Sequence, residues 1–219
     1  MSSKPQPLKD KVTANFEANK KAFHDATTKA QGQIDAATAD INKIRAELKT
    51  QAADVKAKTI AGIDEMTKNL DAIRKEQQNR IEARLKELHA EVNSLNEELK
   101  HATGEQKVAV EAKRKAVHEE YDAARRALTA NLEAELAEWK ARIDTAREAA
   151  AEKSVAAKAA IQAKITDLHA KHEAAQKKLH ALKQANAAAY DEMQHGVLAA
   201  ITDVKTALQH ARADIKAAS

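Results

Sequence analysis

No cysteine occurs in the 219 residues, so neither a disulfide nor a thiolate-bound metal can hold this chain together. Proline stops at Pro5 and Pro7, and from Leu8 onward there is none. A proline inside a helix costs about 3 kcal/mol, so its absence over such a length permits very long helices. Glycine is down to four residues, and the aromatics to two Phe, two Tyr and one Trp. Five rings cannot fill a thick globular core, nor build the stacking platforms that hold single-stranded nucleic acid. No apolar run approaches the roughly 18 residues of a membrane-spanning helix. The opening residues lack the apolar core of a secretory signal. These absences lead to the expectation of a cytoplasmic protein with no transmembrane segment and no specific nucleic-acid partner.

What is present is equally narrow. Charged residues make up 32% of the chain, and alanine about a quarter. Alanine, lysine, glutamate, glutamine, arginine and leucine lose little rotamer freedom in a helix, so a chain rich in them with helical spacing reads as coiled coil or long helix. Regularly spaced Ile, Leu and Val argue against disorder. The net charge of +4 lies wholly in residues 1–60, with 11 basic against 7 acidic residues; the remaining 26 and 26 cancel. Lys4, Lys9, Lys11, Lys20 and Lys21 belong to this basic arm, which reads as a solvated helix face with a mild pull on anionic surfaces.

An Ile-x-x-apolar unit returns every 22 residues, which is two eleven-residue units and close to the natural helix pitch. It runs through Ile41/Ile44, Ile63/Met66 and Leu85/Leu88, then through Tyr121/Ala124, Ile143/Ala146 and Ile165/Leu168. The apolar line starts at Val12, Phe16, Phe23 and Ala30 and continues through Ile34, Ile41, Leu48 and Val55. The cleanest heptad block is Ile81, Leu85, Leu88, Val92, Leu95 and Leu99. Further on, Leu128, Leu132, Trp139 and Ile143 form the second seam, with Ile165, Leu168 and Leu179 restoring a heptad. Val117, Leu128, Trp139, Ala150 and Ile161 are spaced by eleven, the signature of a nearly straight seam. Alternation of three and four is the spacing by which helices pack on helices.

The pattern stops at Thr103 and Gly104. Glycine can take the left-handed conformation that ends a helix, and Thr103 followed by Gln106 has the form of a capping box. The expected organisation is a flexible N-terminus over 1–7, a first helical arm over 8–102, a hinge over 103–106 and a second arm over 107–219. A further break is expected near 185–187, where Asn186 suits a helix start. The expected fold is all-α: long amphipathic helices forming an antiparallel hairpin or coiled coil. The alternative is a compact helical bundle, should Gly32, Gly62, Asn186 and Gly196 also break the arms.

Few constellations carry chemistry. Glu98 with His101, and Glu192 with His195, have the Glu-x-x-His spacing used by di-iron bundles. Around them, however, Leu95, Leu99 and Ala102, and Tyr190, Met193 and Val197, define the inward face. Both pairs are therefore expected at the surface. His169, His172, Glu173 and His180 cluster within three turns, with His172 on the apolar line as a core histidine. No phosphate loop or nucleophile motif occurs. The expectation is a non-enzyme with no cofactor, no metal and no catalytic residue.

Two functions fit these features. One is a structural or scaffold coiled coil that self-associates, or binds another helical protein, through its heptad and hendecad seams. The other is an amphipathic coat on a lipid or polymer-granule surface. The 22-residue period resembles that of exchangeable apolipoproteins, although no proline separates the repeats here, and the Ala/Lys-rich composition is similar to bacterial phasins. That resemblance implies helices that lay their apolar faces on an anionic or granule interface. A face richer in alanine than in aromatics suits helix partners better than lipid.

Overall fold

In the computed structural model the described residues are 6–47, 53–151 and 155–217, and side chains are described within them except at 6–16, 53–58, 60–61, 155–157 and 187–188. Five helices account for nearly all of them: α1 (Gln6–Glu47), α2 (Ala53–His101), α3 (Gly104–Ala151), α4 (Val155–Gln184) and α5 (Ala187–Ala217). The longest has 49 residues and spans about 74 Å at 1.5 Å per residue. Basic residues stand in the last turn of α1, α2, α4 and α5, where they complement the exposed carbonyls.

The chain divides into two compact units, Met1–Ala124 and Arg125–Ser219, with the division falling inside α3. In the first unit α1 folds back on α2. Ile34, Ile41, Ile63 and Leu70 form its core, with Ala37, Ile44, Met66 and Ile73 against them. The stretch read as one arm over 8–102 is therefore two antiparallel helices, and Gly62 lies inside the second of them. A single extended rod would leave this apolar stripe in water; folding back covers it. Leu48 of the expected line lies outside the described residues. Val12, Phe16 and Val55 belong to those whose side chains are not described.

Helix α3 returns along α2 after a turn of two residues, Ala102 and Thr103. Ala102 N–H still donates to Glu98 O at 3.0 Å, and Gly104 then takes φ +56°. Lys113 pairs with Glu91 at 2.9 Å and Arg114 donates to Asn96 at 3.2 Å across this hairpin. The turn lies inside the first unit. Gly104→Ala is expected to destabilise by about 1–2 kcal/mol, because an added Cβ meets no neighbour but disfavours the left-handed backbone. Gly32→Ala and Gly62→Ala, in helix interiors with open space around them, are expected to stabilise by up to about 1 kcal/mol. Urea unfolding of the three variants would check the opposite signs.

In the second unit residues 125–151 of α3 pack with α4 and α5, which are themselves antiparallel. Lys164 pairs with Asp214, and Lys178 reaches Gly196 O at 3.5 Å. Asn186 caps α5, accepting the Ala189 N–H on its side-chain oxygen at 3.0 Å. The turn is tied to α3 by Arg125, which donates to Ala185 O and lies 4.2 Å over the Tyr190 ring. Tyr190 in turn donates its hydroxyl to Arg125 O at 3.3 Å. Gly196, like Gly32 and Gly62, is helical, so of the four suspected breaks only Asn186 stands outside a helix. A mid-helix glycine costs about 1 kcal/mol, less than a packed apolar stripe returns.

The 22-residue repeat marks core positions on four different helices. Its leading residues Ile41, Ile63, Leu85, Tyr121, Ile143 and Ile165 are all buried. The eleven-residue series loses its meaning after Ala150, because Ile161 belongs to α4.

Candidate functional site

The seams are the candidate site, and the chain buries them itself. Ile81, Leu85, Leu88 and Leu95 are buried in the first unit; Leu128, Leu132, Trp139, Ile143, Ile165, Leu168 and Leu179 in the second. Val92 and Leu99 are half-buried. Val108, 67% exposed, is the only large apolar side chain open to solvent among the described residues.

Polar groups other than the expected His172 enter these seams. In the first unit Glu120 is buried and its Oε1 accepts two hydrogen bonds from Arg84, at 2.7 and 2.9 Å, while Glu87 accepts a third at 3.0 Å. Burial works against the Arg84 charge, but the bonds and attraction of Glu120 and Glu87 outweigh it, holding the guanidinium above its ordinary value. Arg84 is thus charged at every working pH. Beside it Tyr121 is buried, with His89 and His118 rings at 6.2 and 6.4 Å.

The second unit carries a buried pair on α3. Arg142 donates from Nε to Glu138 Oε1 at 2.9 Å, its guanidinium lies 4.2 Å over the Trp139 ring, and Trp139 Nε1 donates to Glu135 at 3.2 Å. His172 is buried and meets Leu136 O through Nε2 at 2.8 Å. A carbonyl only accepts, so the Nε2 proton is present and the ring is a satisfied core group. Gln194 occupies the inward position on α5 that was assigned to Met193, which is only half-buried. Arg74 and Gln77 are buried as well, and the repeat could have pointed to them, since they fall between Leu70 and Ile81 at seam spacing. Glu138 and Arg142, four apart, read as an ordinary surface pair.

The metal candidates are dispersed. Glu98, His101, Glu192 and His195 are exposed, and His195 Nδ1 is spent on Asp191 O at 2.7 Å. Glu173 and His180 are exposed too, while His172 faces the core. Among the described residues no three His, Cys, Asp or Glu side chains are placed to hold a metal ion. A trough of about 640 Å³ on the α2–α3 hairpin is open and lined mostly by charged groups of both signs, Glu111, Arg114, Lys115, Glu119 and Asp122 among them. No described helix is long and apolar enough to cross a membrane.

No protein-family model, no curated protein and no solved structure matches the chain.

Proposed function

We propose that the protein is a non-enzymatic structural helix protein of the cytoplasm, a spacer or adaptor that associates with its own copies or with other helical proteins. One observation carries this. Among the described residues the large apolar side chains are turned inward or half-covered, and Val108 alone of them is open to solvent. A chain that has already buried its seams brings a prefolded body to its partners, and contact between copies falls to the charged helix exteriors.

A surface coat is the second reading, favoured by the polar residues Thr67, Arg74, Gln77, Asn131 and Gln194 at buried positions. Polar groups in a helix seam lower the cost of opening it. The two are separated by circular dichroism, light scattering and flotation with and without anionic vesicles. A scaffold keeps its helix content, has a mass above that of one chain and stays out of the lipid fraction. Co-flotation with the vesicles would sink the scaffold in favour of the coat, and a strictly monomeric mass would remove self-association.

A further inference from the structure

The links between the helices are of two kinds. Ala102 and Thr103 lead into Gly104 at φ +56°, and Asn186 caps α5 with its own side chain. Both are turns built by their residues. The link from α1 to α2 has no such device. Leu48, Lys49, Thr50, Gln51 and Ala52 include no glycine, proline or asparagine, and all but Thr50 are good helix formers. The apolar line runs straight through them: Ile34, Ala37, Ile41, Ile44, Leu48, Ala52, Val55, Thr59, Ile63, Met66, Leu70. Ten steps cover 36 residues, an average of 3.6, so one straight helix keeps the whole line on one face. The α3–α4 link, Glu152, Lys153 and Ser154, has no apolar residue to continue a seam.

What α1 makes with its own α2 can be made with the α2 of another copy. Ile34 and Ile41 are buried with Ile63 and Leu70, Arg74 Nη2 donates to Thr38 Oγ1 at 3.4 Å, and Gln77 Nε2 donates to Thr27 O at 3.3 Å. Thr38 and Arg74 lie equally far in sequence from residue 56, and Thr27 and Gln77 from residue 52. Let residues 48–52 continue the helix, and α1 and α2 become one rod. Two such rods, antiparallel about a two-fold axis near residues 52–56, restore each of these contacts between copies in the same register. The two α2 helices then run away from the axis in opposite directions, and each α1 is covered by the other chain's α2. No stripe is left in water.

We propose that the α1–α2 hairpin is exchangeable: two copies swap their α1 helices and are joined by continuous helices that run from α1 into α2. This goes beyond contact at the charged exteriors and rests on the self-association in the scaffold reading. Exchange of an identical element returns every contact that opening breaks, so it is a low-cost route to a dimer. Two terms then set the balance. The helix over 48–52 and the burial of Leu48 and Val55 near the axis favour the dimer, and the lost freedom of two chains opposes it. The exchanged form therefore grows with concentration.

Because the chain has no cysteine, Gln33→Cys and Lys68→Cys place spin labels on exposed sites of α1 and α2 without background. The labelled chain is refolded from urea at high concentration with a large excess of unlabelled chain, so that two labelled copies rarely meet. Double electron–electron resonance then reads distances within one chain, and light scattering reads the mass. The closed hairpin gives one short distance. The exchanged dimer is expected to add a distance of about 52 Å, thirty-five residues at 1.5 Å each, at the mass of two chains. Thr50→Ala should raise the dimerisation constant about fivefold, because both links gain helix propensity, and Thr50→Pro should lower it more than about a hundredfold. The alanine variant serves alone if the proline variant does not fold. A dimer with the short distance alone, in the parent and in Thr50→Ala, overturns the exchange and leaves the scaffold reading standing. Monomers throughout overturn the exchange and self-association together. The long distance at the mass of one chain would mean that α1 opens without a partner, which also overturns the exchange.

Discussion

Replacing Glu138 with alanine is expected to lower the stability of the 125–219 unit by about 3–5 kcal/mol, the cost of breaking a buried ion pair from one side. Glu138 and Arg142 are each only 3% exposed at their side chains, so solvent screens the pair very little. The variant removes a carboxylate partner from a guanidinium that is almost wholly out of water and that also lies over the Trp139 ring. The control is the double variant Glu138→Leu/Arg142→Leu. It removes both charges together and is expected near the parent or above it, since apolar replacement of a buried pair is commonly neutral or stabilising. Urea unfolding followed by circular dichroism reads both. Equal losses in the single and double variants would mean that packing, not charge, decides this site.

Leu70→Ala should be of similar size in the other unit, about 2–5 kcal/mol. Leu70 is fully buried in the cluster with Ile34, Ile41 and Ile63, between an alanine-rich helix and the polar residues Thr67 and Arg74. A cluster of eight residues has few neighbours able to move into the space, so most of the cavity persists. Hydrogen exchange locates the effect: α1 and α2 amides around residues 34–44 and 63–73 should lose protection. A loss below about 1 kcal/mol would show that the α1–α2 core collapses around the gap, in the manner of a loosely packed seam.

How much of this was readable in the sequence depends on what decides each feature. The all-helical fold follows from local preference and from the missing prolines, so it was legible. Most seam positions were legible too, because periodicity alone selects a face. The turn after His101 and the cap at Asn186 were visible through Gly104 and the asparagine. The fold-back of α1 was not: Leu48, Lys49, Thr50, Gln51 and Ala52 contain no glycine or proline. Its cause is tertiary, the covering of one stripe by another. The buried pairs were hidden for a related reason. Glu138 and Arg142 have the spacing of any exposed i, i+4 pair, and only what packs against α3 makes them interior.

The helices meet chiefly their neighbours in sequence, and the hydrogen bonds between them join residues 18 to 65 positions apart. Contacts so local close small loops, and helical chains of this kind fold in microseconds to milliseconds. From His101 to Ser219 there are 118 further residues. At 5–20 residues per second a ribosome needs about 6–24 s for them. Helix α1 therefore finds α2 before α5 exists. In a sequence whose helices share so small an alphabet, order of synthesis keeps each helix with its own partner.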